Sequence, residues 1–273
     1  MRQRTYRSPF AAFFLTLLMV AQSWGASEKI AAVTVPSADV TLSFTQPGLI
    51  AKTYVKQGDV VESGQLLVQQ DDAIERAQLT QIEEKSQNTS QIQASQASLD
   101  QKKVDLKKLE KAAERDAATE LEVEHARLEV RMAELSLEIA KLEHHQDQLK
   151  CQEARIRVEK KQLRSPIAGS VEKVEVEPGE SINALEGVAR VVQIDPLWTD
   201  VPVPLTTART LRPGQKALVE FPEAQATAFT GRVIFVAAVA DAASGTLLVR
   251  VEVPNEARRP AGDHVRVGFP ALQ

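Results

Sequence analysis

Between Gly64 and Pro166 the chain contains neither glycine nor proline, although the 273 residues hold 12 Gly and 13 Pro. Phe, Tyr and Trp are also missing from residues 73–163. Glycine and proline are the residues that interrupt helices, so a stretch this long without them is helix or disorder. A single cysteine, Cys151, excludes an internal disulfide framework and a Cys-rich zinc site. Aromatic residues make up only 4% of the chain, which favours thin architectures over a wide core. The longest apolar run, Phe10–Ala21, is too short for a hydrocarbon layer ~30 Å thick. Nor is there a surplus of positive charge: 33 Lys+Arg face 37 Asp+Glu, a net charge of −4, so nucleic acid has no electrostatic footing. A glycine-rich phosphate loop, a Gly-x-Ser-x-Gly elbow and a Cys/His nucleophile set are all missing, and no enzymatic chemistry is expected. With 43% hydrophobic and 26% charged residues, the composition is that of a folded protein.

What is present begins with an export signal over residues 1–25. Arg2, Arg4 and Arg7 precede the apolar run, and Ala21, Ser23, Gly25 and Ala26 supply small residues for cleavage after Ser23 or Gly25. An uncleaved anchor is the other reading of this segment. No cysteine lies near the cleavage point, so lipid attachment there is not expected.

Residues 73–163 carry a heptad. Leu121, Leu128, Leu135, Leu142, Leu149, Ile156 and Leu163 recur every seven residues, with Met132 and Ile139 between them. Disorder does not maintain such a period. The spacing predicts a seam formed by Leu128, Met132, Leu135, Ile139, Leu142 and Leu149. The partner is the preceding stretch, where Ile92, Leu99, Leu106, Ala113 and Leu109 keep the same step. Glu114–Thr119 is the expected turn, giving a helical hairpin with arms on the order of 65–70 Å long. Thr119 with Glu122, and Asp72 with Glu75, fit capping boxes. The polar run Ser86–Ser98 weakens the seam of the first arm. A second series, Val123, Val130 and Leu137, runs beside the leucines. It reads either as a broad seam or as a face for a neighbouring copy.

The flanks of this hairpin resemble each other. Gly48 to Val61 aligns with Gly169 to Ile182 at a constant offset of 121, matching Gly48/Gly169, Lys52/Lys173, Val55/Val176 and Gly58/Gly179. After a two-residue shift, Gly64 and Asp72 match Gly187 and Asp195. Each half reads as short strands between glycine turns at Gly48, Gly58, Gly64, Gly169 and Gly179. One half alone leaves open edges and little core, so the two halves are expected to close one β-sandwich.

Two lipoyl-like half-motifs separated by a heptad hairpin resemble the periplasmic adaptor proteins, the HlyD-like membrane fusion proteins of tripartite efflux and secretion systems. Leu197–Pro202, Leu211–Gln215, Gly231–Ile234, Ser244–Val251 and Val253–Gly262 are similar to the β-barrel domain of that family. The resemblance implies an α+β multidomain chain. Its lipoyl-like β-module (a barrel-sandwich hybrid, 26–72 and 164–195) is interrupted by the hairpin (73–163) and followed by a small β-barrel (196–273). It also implies a non-enzymatic protein of the periplasm, held peripherally at the inner membrane through its partners. Those partners would be an inner-membrane transporter of RND or ABC type, an outer-membrane channel, and further copies in a ring. Many family members add a membrane-proximal domain, and the position of the barrel near Gln273 leads to the expectation that it is missing or vestigial here. A coiled-coil scaffold without a transporter, and an unmodified relative of a biotinyl or lipoyl carrier, are the alternatives.

In the family the hairpin tip meets the channel through an Arg, a Leu four residues later and a Ser eleven after the Arg. The matching positions here are Lys108, Ala112 and Thr119, a weakened version of the motif. Lys loses the planar fork of Arg, and Ala loses a knob. Leu109, Arg115 and Leu121 are nearby substitutes. A true carrier places a modified lysine at the tip of its β-module. Asp71-Asp72 occupies that place, so no prosthetic group or other cofactor is expected. His125, His144 and His145 read as solvated, since neighbours 100° apart on a helix do not make a metal pair, and no metal is expected. Cys151 reads as a small heptad residue.

Overall fold

The computed structural model describes residues 29–222 and 228–270, and the expected export signal lies outside them. The chain divides into two compact units. One comprises residues 35–198 and 254–262; the other comprises, among the described residues, 29–34, 199–222, 228–253 and 263–270. Among the described residues no helix is long and apolar enough to cross a membrane.

The first unit contains the split β-module, and its strands follow the 121-residue repeat. β2 (Gly48–Thr53), β3 (Val60–Val61) and β4 (Leu66–Gln70) are matched by β6 (Gly169–Val174), β7 (Ser181–Ile182) and the start of β8 (Gly187–Pro204). The two halves exchange strands reciprocally. Gly48 of β2 pairs with Ile182 of β7, and Val61 of β3 pairs with Gly169 of β6. The backbone bonds repeat the exchange: Ile50 N–H donates to Glu180 O and Val171 N–H to Asp59 O, both at 2.8 Å. The core repeats it as well, since Ile50, Val55, Val61, Leu67 and Val68 are buried alongside Val171, Val176, Ile182, Val188 and Ala189. Neither half could bury these side chains alone, so the module exists only when both ends of the hairpin return to it.

Three of the five expected glycine turns are turns: Gly58, Gly64 and Gly179 have φ of +91°, +85° and +91°. Gly48 and Gly169 instead begin strands β2 and β6. Their requirement is room. A Cβ on Gly169 would lie 2.3 Å from Val192 O, and one on Gly48 would lie 2.9 Å from the Gln70 side chain.

The hairpin leaves β4 as α1 (Ala73–Gln87) and α2 (Ser90–Ala113), and returns as α3 (Glu120–Glu159) into β5 (Gln162–Arg164). The turn falls at Glu114–Thr119, as the sequence predicts. The first arm is not one helix. Its backbone leaves the helix at Asn88, where the side-chain Oδ1 accepts the Ser90 N–H at 2.9 Å. This is the local competition by which Asn and Ser interrupt helices without help from Gly or Pro. The capping box expected at Asp72 and Glu75 does not form, and no side-chain cap bond is made by Asp72. Its carboxylate instead accepts from Arg76 Nε at 2.8 Å and from Gln69 Nε2 at 3.0 Å, while Asp71 Oδ1 takes the Ala73 N–H.

The second unit contains the barrel. The first residues of β1 (Ile30–Ser43) pair with β12 (His264–Gly268), Ile30 opposite Val267. Residues 29–34 therefore belong to the barrel rather than to the β-module. β9 (Lys216–Glu220), β10 (Ala228–Val236) and β11 (Thr246–Val253) complete the order β1-β12-β9-β10-β11-β8, and pairing of β1 with β8 closes six strands. The interior is valine-rich: Val201, Val203, Val219, Val233, Val249, Val251 and Val267 are buried at alternate positions. Outside the barrel, Asp200 and Arg250 form a two-pronged pair at 2.6 and 2.9 Å.

Candidate docking surfaces of the helical hairpin

The seam of the hairpin differs from the expected one, and the difference defines the candidate site. On α3 the residues turned toward the first arm are Val123, Ala126, Val130, Ala133, Leu137, Ala140, His144, Asp147, Cys151, Ala154 and Val158, all buried or half-buried. Numbered as a heptad with Val123 at a, these occupy a and d throughout. The expected seam residues Leu128, Met132, Leu135, Ile139, Leu142 and Leu149 are 43–63% exposed. Leu121 and Ile156 continue the same exposed stripe. The secondary series, Val123, Val130 and Leu137, is thus the true seam.

The first arm meets its expectation: Ile92, Leu99, Leu106, Leu109 and Ala113 are buried or half-buried, joined by Ser95. Size complementarity explains the choice. Most of the large seam side chains are on α2, and the α3 face toward them is mainly Ala and Val with Leu137 among them, so the two faces differ in size where they meet. Ion pairs flank this face and fix the level of the arms: Lys102–Glu129 at 2.8 Å, Arg127–Glu110 at 3.4 Å, Lys85–Asp147 at 3.1 Å and Arg155–Glu83 at 2.8 Å. Lys85 is the main cause holding the Asp147 carboxyl below its ordinary value.

Near the break in the first arm the seam turns polar. His144 is half-buried with its Nδ1 enclosed and without a hydrogen-bond partner, so it is not the solvated residue expected. His125 and His145 are exposed, and Cys151 is a half-buried a-position residue.

At the tip, Thr119 and Glu122 form the expected capping box. Thr119 Oγ1 accepts the Glu122 N–H at 3.3 Å, and Glu122 Oε2 accepts the Thr119 N–H at 2.7 Å and its hydroxyl at 2.8 Å. The Thr119 backbone and hydroxyl donors hold the Glu122 carboxyl below its ordinary value. Of the candidate docking residues, Lys108, Arg115, Thr119 and Leu121 are exposed, whereas Leu109 and Ala112 are half-buried at the first arm's inner face. Asp116 closes the turn at φ +55°, and Ala117 N–H donates to Ala112 O at 2.9 Å.

The place of a carrier lysine is taken by Asp71 and Asp72, between β4 and α1. Lys52 lies within β2 with its Nζ 4.8 Å from the centre of the Tyr54 ring, and Lys173 lies within β6, paired with Glu175 at 2.8 Å.

Comparison with known proteins agrees with this architecture. Residues 196–269 match the family model of the CusB-like β-barrel domain. No curated protein matches the chain by sequence. Among solved structures, MacA from Actinobacillus actinomycetemcomitans superposes with a TM-score of 0.72 at 16% identity, over 90% of this chain and 79% of that one. The membrane fusion protein Spr0693 from Streptococcus pneumoniae R6 superposes at 0.59 and 14%, over 90% and 100%. ZneB from Cupriavidus metallidurans superposes at 0.50 and 18%, over 90% and 71%. The β-module interrupted by a helical hairpin is thus a fold this chain shares with those structures, and its residues 196–269 are similar to the CusB-like β-barrel domain.

Proposed function

We propose that the protein is a non-enzymatic periplasmic adaptor subunit of a tripartite efflux or secretion pump. In this reading it is exported by its N-terminal signal, joins an inner-membrane transporter to an outer-membrane channel, and self-associates into a ring. The observation that carries the reading is the β-module assembled from two distant stretches, with a hairpin emerging between them. Such a module holds both arms of the hairpin at their bases, and α3 alone gives a reach of about 60 Å. Exposed Arg115 and Leu121 at the tip are the candidate contacts with the channel. Joining and sealing require surfaces rather than acids, bases or nucleophiles, which agrees with a polar yet chemically plain hairpin.

Photo-crosslinking in the native host tests the reading, with the reactive residue placed at Arg115 or Leu121. The expected result is an adduct to an outer-membrane channel, with a membrane transporter recovered alongside the same chain. Recovery of neither would leave a transporter-free scaffold. A lysine carrying biotin or lipoate in the intact mass would turn the reading to a carrier subunit.

A further inference from the structure

The outer wall of the barrel is apolar at one end, and a strand irregularity makes it so. β10 carries a bulge between Val233, opposite Val251, and Phe235, opposite Arg250. In a regular strand Phe235, two residues after the buried Val233, would point into the barrel. The extra residue Ile234 reverses the alternation, so Phe235 faces outward beside Arg250 and is 49% exposed. The bulge thus takes a ring that the interior would have enclosed and gives it to the surface.

Its neighbours are of the same kind. On β11, Leu248 is exposed between the buried Leu247 and Val249, and its carbonyl accepts the Ala237 N–H at 2.9 Å. β8 runs along the other side of β11. The Arg250–Asp200 pair and the bond from Leu205 N–H to Gly245 O, 3.3 Å, set Pro202 beside Leu248. Pro202 and Pro204 are exposed, and Val239, in the turn between β10 and β11, is 82% exposed.

We propose that this end of the barrel rests directly on an anionic phospholipid surface, with Phe235, Val239 and Leu248 entering the headgroup layer. Two observations select a lipid. The first is charge. Arg209, Arg212 and Lys216 are exposed at the same end, where Gly214 N–H donates to Val233 O at 2.8 Å and Lys216 stands opposite Arg232. The acids beside the patch are already engaged. Asp200 is held by Arg250, and Asp241 accepts the Ala243 N–H and the Ser244 hydroxyl within its own turn, both at 2.9 Å. An apolar wedge bordered by cations is what an anionic bilayer surface attracts.

The second is the entry of the chain. Ile30 is opposite Val267 and Gly268 is opposite Leu218, so Lys29 enters the barrel at the end where β9 begins. That is the end of the patch. Seven residues separate Lys29 from Ala21, the last of the apolar run, a span of at most about 28 Å. Export through that run delivers this end of the barrel to the inner membrane, whether or not the run is then removed. Only this step rests on the export in the adaptor reading; contact with lipid requires neither transporter nor channel.

Flotation of the exported, purified chain with vesicles tests the inference separately from the pump assignment. Vesicles of equal parts phosphatidylethanolamine and phosphatidylglycerol are compared with phosphatidylcholine alone. A polarity-sensitive fluorophore on Val239→Cys, in a Cys151→Ser background, reads the depth of the turn. The expected result is flotation with the anionic vesicles only, reversed by high salt, with a brighter fluorophore that spin-labelled acyl chains quench. Arg209→Gln with Lys216→Gln should weaken binding roughly 25-fold, at about fivefold per cation. Val239→Asp in the unlabelled chain should weaken it too, with melting unchanged in both variants. Absence of flotation with anionic vesicles would overturn the proposal. So would binding that survives all three substitutions, or flotation with the fluorophore still in water, which would leave attachment to the N-terminal run. A fluorophore aqueous on lipid vesicles but shielded in protein-bearing inner membranes would overturn it as well, assigning the patch to a membrane protein.

Discussion

The assignment of the hairpin seam turns on two leucines that lie two positions apart on α3. Leu137 is 7% exposed and Leu135 is 43% exposed, so only the first is enclosed by the opposite arm. Truncating both to alanine removes the same atoms and raises helix propensity equally, leaving enclosure as the difference. Leu137→Ala loses the burial of its side chain and leaves a gap in the seam. Measured cases put that loss at about 2–4 kcal/mol, and the lower half applies to a seam one layer thick. Leu135→Ala, facing solvent in the single chain, should stay within about 0.5 kcal/mol of the parent. Urea unfolding followed at 222 nm reads the hairpin selectively, because the β-module and barrel contribute little helix. The measurement belongs at concentrations where light scattering shows monomer. If Leu135→Ala cost as much as Leu137→Ala, the seam would run through the larger leucines.

Other outcomes follow from the same geometry. Thr119→Ala removes the hydroxyl that accepts the Glu122 N–H and should lower hairpin stability by about 1 kcal/mol in the same assay, with Thr119→Ser close to the parent. Gly169→Ala drives a methyl into the Val192 carbonyl and should cost roughly 1–3 kcal/mol, read as a lower melting temperature of the β-module; Gly58→Ala meets no atom and is limited to the strain of its positive φ. Arg76 holds the Asp72 carboxyl below its ordinary value of about 3.9, with Gln69 assisting. The unfolded chain then binds the proton more readily, so this contribution is complete above about pH 4 and disappears as pH falls through the folded value. Acid titration of stability should therefore be flatter in Asp72→Asn than in the parent below about pH 4, and parallel curves would refute the pairing.

Much of this architecture is legible in the residues. The missing glycines and prolines mark the hairpin, Glu114–Thr119 marks its turn, and the 121-residue offset marks the split module down to individual hydrogen bonds. Break points made by side chains are harder to see. Asn88 interrupts the first arm through one bond to Ser90 that many Asn-containing helices do not make. Gly48 and Gly169 look like turn glycines, because close approach of another strand leaves no mark on a linear sequence. At the tip, the exposed Lys108, Arg115, Thr119 and Leu121 were readable as candidates, but the half-burial of Leu109 and Ala112 depends on the rotation of α2.

By itself the sequence determined that α3 carries two apolar stripes, since hydrophobic period is a property of residue order alone. Only the tertiary structure decided which stripe faces its own chain. Antiparallel pairing of β4 with β5, Val68 opposite Leu163 and Gln69 opposite Gln162, clamps the hairpin where both arms begin. That clamp fixes the rotation of α3 about its axis, and the fit of small side chains against large ones keeps that rotation along the helix. The richer stripe is left outside because packing rewards complementary shape, and hydrophobicity alone does not encode it.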